Sequence, residues 1–178
     1  MSNSLASMGF GLSAEISVCL IHHEKKVVTI AGDAGILMNL QDLETAVRLN
    51  CNLVIIIYND SFYGLIEWES NQKFGESFDS SFKNPDFMGL TNSFGARGIR
   101  ISIADELGET LLSAFKEGGV WLIDFIPPHD RYYLSQALQL NFDLLLTSDI
   151  ILERDSMNYN SPKLPVMTPL PERIGKNK

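Results

Sequence analysis

Short apolar runs alternate with segments of helical spacing along the first two thirds of the chain. Two runs rich in β-branched residues predict strands over 26–32 and 53–58, and the unbroken second run is typical of a strand buried on both faces. Residues 38–49, between them, place apolar side chains at helical spacing and predict a helix. Two strands joined by one helix are parallel, with a right-handed crossover.

The same pattern continues through the last predicted strand, which ends at residue 125. It predicts the following further elements: a loop and buried helix over 4–21, a short helix over 62–70, a mobile polar loop over 71–84, a helix from 84 to about 94, a short strand over 100–102, a helix over 105–117 and a strand over 120–125. Four strands alternating with helices predict an α/β fold: a doubly wound parallel sheet with helices on both faces.

The domain organisation follows from the loss of this alternation after residue 141. Residues 142–152 suit one more helix, and beyond them the chain carries Pro162, Pro165, Pro169 and Pro171. We therefore expect one domain over 1–141, followed over 142–178 by a C-terminal helix and a flexible Pro-rich tail.

Charge and composition narrow the class of partner. The chain has 178 residues and a formal net charge of −8, which argues against a general nucleic-acid or anionic-membrane binder. Its two cysteines lie in apolar stretches and fit buried free thiols. No stretch reaches the roughly 20 apolar residues of a membrane span, and the first residues lack the basic start of a signal peptide, so the cytoplasm is the expected compartment.

Asp33 and Asp60 are the candidate chemical groups. Each follows one of the first two predicted strands, so both carboxylates are expected at the same carboxyl edge of the sheet, where open α/β folds bind ligands. Two close carboxylates repel unless they share a proton or hold a cation, which points to a hard-metal site beside a place for phosphates. Each segment alone has a plainer interpretation, a strand–helix turn around Asp33 and an Asx turn at Asp60.

Several ordered motifs over about residues 3–130 together resemble one superfamily. The segment from Gly32-Asp33-Ala34-Gly35 to Asn59-Asp60 is similar to the thiamine-diphosphate signature that begins Gly-Asp-Gly and ends Asn-Asn. The resemblance is to the C-terminal pyrophosphate-binding domain of thiamine-diphosphate-dependent enzymes, and most closely to the acetolactate synthase large (catalytic) subunit. It extends over the following motifs: Ser7-Met8-Gly9-Phe10-Gly11-Leu12, Tyr58 to Trp68, Asn84-Pro85-Asp86-Phe87 and Phe94-Gly95-Ala96-Arg97-Gly98.

This resemblance implies a site for thiamine diphosphate and Mg²⁺. Asp33 and Asp60 would be side-chain ligands of the metal, and Phe62 would contribute its carbonyl. The implied cofactor-binding residues are Ala6, Met8, Gly32, Asp33, Ala34, Gly35, Asp60, Gly64 and Leu65, with Met8 beneath the bend between the two cofactor rings. The chain departs from the family pattern where Ala34 replaces a glycine, where Asp60 replaces an asparagine, and where Glu15 places a charge on a helix that the family packs tightly.

The resemblance also implies what this chain lacks. Members carry a pyrimidine-binding domain, whose glutamate activates the cofactor across a subunit interface, and no carboxylate of this sequence is assigned that role. One hypothesis is therefore the cofactor domain of an acetolactate-synthase-like carboligase or decarboxylase of 2-oxo acids such as pyruvate, in a homo- or hetero-oligomer that includes a pyrimidine-binding domain or subunit. The other is a truncated, catalytically inactive fragment. A different nucleotide-binding domain lacks support, because no Gly-x-Gly-x-x-Gly or Walker A motif is present.

Overall fold

Four parallel strands form the sheet at the centre of residues 7–127, the part of the chain that the computed structural model describes. They are β1 (Val27–Gly32), β2 (Leu53–Tyr58), β3 (Arg97–Ile101) and β4 (Val120–Phe125), and they lie in the order β1-β2-β4-β3. The two central strands are buried almost throughout, as their apolar runs predict. The edge strand β3 begins three residues earlier than the sequence predicts, because an edge strand tolerates the exposed Arg97 and Gly98.

The two faces of the sheet carry different sets of helices, which confirms the predicted doubly wound fold. The helices are α1 (Phe10–Ile21), α2 (Asp33–Leu37), α3 (Asp42–Arg48), α4 (Gly64–Phe74), α5 (Phe87–Ser93) and α6 (Asp105–Glu117). On one face Leu12, Leu43 and Phe87 pack helices α1, α3 and α5 against the strands. On the other face Leu107 and Leu111 pack α6 against the alternate strand positions.

The single helix predicted over 38–49 is wrong at its start. Helix α2 begins at Asp33, directly after β1, and the chain then turns through 38–41 before α3 begins at Asp42. Asn39 fixes this turn, since its side-chain amide donates to the Gly9 carbonyl at 2.9 Å. Helical periodicity does not register such a break, because the apolar positions on both sides of it still face the core.

The segment between β2 and β3 also differs in its bounds. Helix α4 runs four residues past its predicted end and stops at Gly75, whose φ of 77° is the left-handed conformation common after helices. The loop that follows is tied back to the end of β2, because Tyr63 N–H donates to Ser80 at 2.8 Å and Phe82 N–H donates to Ser61 at 3.0 Å. This loop therefore lies against the residues that follow β2.

Some predictions lie outside the described residues. They are the helix over 142–152, the Pro-rich tail, the domain boundary at 141 and the contribution of Ala6. Within residues 7–127, none of the helices is both long enough and apolar enough to cross a lipid bilayer.

Candidate metal and cofactor site

A cleft of about 490 Å³ lies at the carboxyl ends of β1 and β2. All the predicted site residues within the described range line it: Met8, Gly32, Asp33, Ala34, Gly35, Asp60, Phe62, Gly64 and Leu65. Residues from three separate segments therefore meet where the parallel sheet presents its carboxyl edge. Their roles toward a cofactor stay predictions, but their proximity is a property of the fold.

Asp33 forms the floor of this cleft, and its carboxylate is held rigidly. The residue is only 1% exposed, and a buried carboxylate requires hydrogen-bond donors. Its Oδ1 accepts from the backbone N–H of Ala34 at 2.7 Å. Its Oδ2 accepts from the Ser61 N–H at 2.7 Å and from the Asn84 side-chain amide at 2.6 Å. The carboxylate is thus oriented by three donors from three parts of the chain.

Asp60 belongs to a tight turn at the end of β2. Its Oδ1 accepts from the Phe62 N–H at 3.1 Å, which is the Asx turn that the plainer interpretation predicts. The turn also serves the site, because Ser61 takes a φ of 60° there and directs its N–H at Asp33. A left-handed serine costs roughly 1–2 kcal/mol, so this geometry depends on the contacts around it.

Phe62 continues the same segment into α4. It pairs with Ser81 in an isolated antiparallel bridge, and the two flanking hydrogen bonds involve the Ser61 carbonyl and the Tyr63 amide. Helix α4 begins two residues later at Gly64, so its first turn lies on the cleft wall beside Leu65.

The opposite wall is the segment before α1. Gly9 has a φ of 84°, and a Cβ there would lie 2.9 Å from the Met38 Cβ, so both conformation and space require glycine. Met8, beside it, lines the cleft and is 45% exposed. An exposed methionine next to a glycine-dependent turn leaves a large apolar side chain facing the cleft opening.

Sequence reasoning missed three polar residues behind the cleft. Asn84 reaches Asp33, Asn59 lies next to Asp60, and Asp124 is a fully buried carboxylate in β4. Asn59 Nδ2 donates to Asp124 at 2.8 Å, and Asn84 Nδ2 donates to Asn59 at 2.8 Å. The available signal was Asp124 itself, the one charged residue within the apolar strand Val120–Phe125.

The donor set suits a hard cation. Across residues 7–127 there is no cluster of three or more His, Cys, Asp or Glu side chains that could hold a metal ion. Two carboxylates and a carbonyl form an all-oxygen set, which is the type that binds Mg²⁺ when substrate phosphates complete the coordination. The residues present therefore fit a metal that is shared with a phosphorylated ligand, and they do not fit a self-contained protein site.

A parallel α/β sheet with a cleft at its carboxyl edge places the chain in the class of open α/β domains that bind ligands at that edge. Comparison with known proteins narrows it: residues 1–125 match the family model described as "Thiamine pyrophosphate enzyme, C-terminal TPP binding domain". The chain belongs to this family of domains, as the motifs predict.

The matched relatives are much longer than the region that this chain matches. It is 34% identical over 124 residues to acetolactate synthase of Bacillus subtilis (strain 168), covering 70% of this chain and 22% of that protein. It is 37% identical over 116 residues to the acetolactate synthase large subunit of Haemophilus influenzae (strain ATCC 51907 / DSM 11121 / KW20 / Rd), covering 64% of this chain and 20% of the relative. The match thus spans about a fifth of each relative.

A solved structure agrees with the fold. The chain superposes on the thiamine diphosphate-dependent 4-hydroxybenzoylformate decarboxylase of Rhodococcus jostii RHA1 with a TM-score of 0.64 and 27% sequence identity. The superposition covers 69% of this chain and 24% of that one. The fold and the family are therefore established together, as the C-terminal thiamine-pyrophosphate-binding domain of acetolactate-synthase-like enzymes.

Proposed function

We propose that this domain binds the diphosphate of thiamine diphosphate through Mg²⁺, with Asp33, Asp60 and the Phe62 carbonyl as protein ligands. The observation that carries the proposal is the Asp33 carboxylate, 1% exposed and held by three hydrogen bonds beside the Asp60 turn. A pre-oriented carboxylate loses little conformational freedom when a cation arrives. Diphosphate oxygens and water would supply the remaining oxygen ligands that Mg²⁺ requires.

Backbone groups around the cleft are suited to the diphosphate itself. Gly32 and Gly35 present little side chain on one wall, and the first turn of the eleven-residue helix α4 directs N–H groups from Gly64 and Leu65 on the other. Helix N-termini favour phosphate because their N–H groups lack intrahelical partners. Met8 would contact the bend of the cofactor, and Ala6 would complete the contact to its aminopyrimidine by the family resemblance.

The whole protein that we propose is an acetolactate-synthase-like carboligase or decarboxylase acting on 2-oxo acids such as pyruvate. When bound, thiamine diphosphate supplies the electron sink for such chemistry. The residues of this chain hold its diphosphate end and shape the cleft, while the activating glutamate belongs to a pyrimidine-binding domain or subunit. A role in branched-chain amino acid biosynthesis and a cytoplasmic location remain predictions.

Exposed apolar side chains at the cleft support a covering partner. Leu65 is 63% exposed and Ile66 is 56% exposed, and both lie on the first turns of α4 beside the half-exposed Met8. Contiguous exposed apolar surface at a ligand cleft is typical of an interaction site. A homo- or hetero-oligomer with a pyrimidine-binding domain over this cleft is the arrangement that we propose.

Calorimetry on the full chain tests the metal-dependent binding. Wild type should bind thiamine diphosphate with Mg²⁺ and lose binding with excess EDTA, and Asp33→Asn should weaken affinity by about 100-fold because it removes a charged ligand. Asp105→Asn is the matched control, since Asp105 starts α6 on the other face of the sheet. Binding that survives EDTA, or equal affinities for Asp33→Asn and wild type, would contradict the proposal.

The inactive fragment remains the second candidate, because no carboxylate of this sequence is assigned the activating role. The two are separated by pyruvate turnover when the chain is mixed with a pyrimidine-binding domain from a homologous enzyme. Turnover only in the mixture supports the enzymatic proposal, whereas none in a mixture that binds the cofactor supports the fragment. Turnover by the chain alone would show that it contains its own activating group.

A further inference from the structure

A continuous line of polar side chains crosses the carboxyl edge of the sheet. In spatial order it joins Asp33 after β1, Asn84 from the loop before α5, Asn59 after β2, Asp124 in β4 and Arg100 in β3. The order of its strand-borne members follows the order β1-β2-β4-β3 of the sheet. We call these five residues the edge network.

The distances show that every link is a hydrogen bond. From the cleft outward they are 2.6 Å from Asn84 Nδ2 to Asp33 Oδ2, and 2.8 Å from the same nitrogen to Asn59 Oδ1. Asn59 Nδ2 then donates to Asp124 Oδ1 at 2.8 Å, and Arg100 Nε donates to Asp124 Oδ2 at 2.7 Å. Links to carboxylates are charge-assisted and stronger than neutral ones.

Asn84 is the central link because its two amide hydrogens are both used. The two shortest contacts of Nδ2 are to Asp33 and Asn59, with Ser61 Oγ as a third acceptor at 3.2 Å, and only the NH₂ group has two hydrogens to donate. The reverse orientation would place the Asn84 carbonyl oxygen against the Asp33 carboxylate. The observed orientation leaves Asn84 Oδ1 buried with no hydrogen-bond partner among the described residues, a cost that the two donated bonds offset.

At the far end of the edge network, the Asp124 carboxylate is held by Arg100. Asp124 is 0% exposed, and a carboxylate in that position requires a charged or strongly polar partner. Arg100, the register partner of Asp124 on β3, provides it and also lies 3.7 Å from Asp86, the N-cap of α5. The network is therefore anchored to a strand and a helix that do not line the cleft.

We propose that the edge network positions the Asp33 carboxylate for the metal, with Asn84 as the positioning residue, an inference that rests on the proposed function. Asn84 fixes Oδ2 of Asp33, to which the N–H of the strained Ser61 also donates. Asn59 and Asp124 fix Asn84 in turn, and Arg100 neutralises Asp124. Removing Asn84 leaves the Asp33 carboxylate with only the backbone donors Ala34 and Ser61. It thereby loosens the carboxylate and the Ser61 turn without removing any residue assigned to the metal.

The first test is amide hydrogen exchange on the ligand-free chain. Asn84→Ala should speed exchange of the Ser61 amide by about tenfold, the factor that corresponds to one hydrogen bond, and leave the β2 core amides unchanged. The matched control is Asn52→Ala at the amino edge of the sheet, which should leave Ser61 exchange at the wild-type rate. Unchanged Ser61 exchange in Asn84→Ala would overturn the proposal, and it would do so even if the chain bound no cofactor.

The second test is cofactor affinity, measured by calorimetry with thiamine diphosphate and Mn²⁺ or Mg²⁺. Asn84→Ala should weaken it by about 10- to 100-fold, the usual effect of removing a group that orients a metal ligand. Asn84→Ser, which retains one donor, should lose less affinity. Wild-type affinity in Asn84→Ala overturns the proposal. Absence of binding by wild type itself would instead count against the proposed function.

Arg100 provides a variant distant from the cleft, which guards against a merely local effect of Asn84. Arg100→Met should weaken metal-dependent affinity, and Arg100→Met with Asp124→Asn should restore part of it, because the uncompensated buried charge is then gone. Arg97→Met on the same strand is the control and should bind as wild type. Equal affinity in Arg100→Met and Arg97→Met would overturn the part of the network beyond Asn59.

Discussion

The two ends of strand β3 carry the same residue type in opposite settings. Arg100, at the carboxyl end, pairs at 2.7 Å with Asp124, which is fully buried, whereas Arg97, at the amino end, lies 3.4 Å from Glu117, which is more than half exposed. Both arginines are about half exposed, so the difference lies in their partners. The carboxylate paired at the carboxyl edge is buried inside the fold, whereas the carboxylate paired at the amino edge is exposed to solvent.

Other residues at the two edges of the sheet show the same contrast in polarity. At the carboxyl edge, Asp33 and Asn84 are linked by short polar contacts around a ligand-sized cleft. At the amino edge, Cys19 and Cys51 are buried together, and the Asn52 N–H donates to Cys19 Sγ at 3.2 Å. Buried polar groups are costly, so an edge that concentrates them indicates binding, while an edge of thiols and apolar groups indicates packing.

The largest expected difference between the edges comes from the two arginines. Arg100→Met leaves the Asp124 carboxylate without its cationic partner and should lower the free energy of unfolding by about 3 kcal/mol. Arg97→Met breaks an exposed pair and should cost less than about 1 kcal/mol. Urea denaturation of both variants measures this, and equal losses would remove the distinction between the two edges.

Substitutions of one glycine at each edge test whether the two edges also differ in how tightly the backbone is packed. Gly9→Ala meets both a φ of 84° and a Cβ contact of 2.9 Å, and it should lower the free energy of unfolding by about 2–3 kcal/mol. Gly119, before β4 at the amino edge, has a φ of 83° with nothing near its Cβ position, so Gly119→Ala should cost about 1 kcal/mol. Urea denaturation of the two variants compares the costs, and a larger loss at Gly119 would contradict the close packing assigned to Gly9.

Glu15 lies on α1, outside the edge network, and burial raises its pKa above the usual 4.5. The native chain therefore binds this proton more tightly than the unfolded chain, so stability falls as pH rises through the raised native pKa. Glu15→Gln should stabilise the chain at pH 7. It should have little effect below about pH 4, where the Glu15 carboxyl is mostly protonated in both the native and the unfolded chain. Thermal unfolding at both pH values measures this, with the exposed Glu44→Gln as control, and equal effects at the two pH values would contradict it.

The smallest effect concerns the amino-edge thiols. Burial, with the neighbouring Cys19, raises the pKa of Cys51 from 9.0 to about 11. The contribution of the protonated Cys51 thiol to the free energy of unfolding is fully present below pH 9.0 and is lost as the pH rises through about 11. At pH 8 we expect very slow reaction of the native chain with a thiol reagent and rapid reaction in urea. Rapid labelling of Cys51 in the folded chain would contradict its burial.

The sequence predicted the central elements of the fold well, because their patterns are local. The apolar runs at β2 and β4 and the amphipathic spacing of α6 each contain enough residues to reveal their period. The start of the helix predicted over 38–49 and the bounds of β3 were wrong, since a helix break at Asn39 and an exposed edge strand leave weak periodic signals. Tertiary contacts decided both.

Part of the candidate site was likewise predictable from the sequence, and part was not. Asp33 and Asp60 follow directly from two adjacent strands and a single crossover, so their proximity was predictable. Asn84 was not, because its loop returns to β2 through hydrogen bonds to Ser61 and Tyr63 that no short pattern encodes. The family resemblance of the motif Asn84-Pro85-Asp86-Phe87 identified the segment but gave no role to the Asn84 side chain.

The sequence by itself determined which residues alternate between core and surface, that the strands run parallel, and that two carboxylates end neighbouring strands. Only the tertiary structure decided that β4 lies between β2 and β3. That order brings Asp124 to Asn59 across 65 positions of sequence and completes the edge network. The physical reason is that strand order depends on the packing of whole helices across the sheet, whereas periodicity reports only the immediate neighbours of each residue.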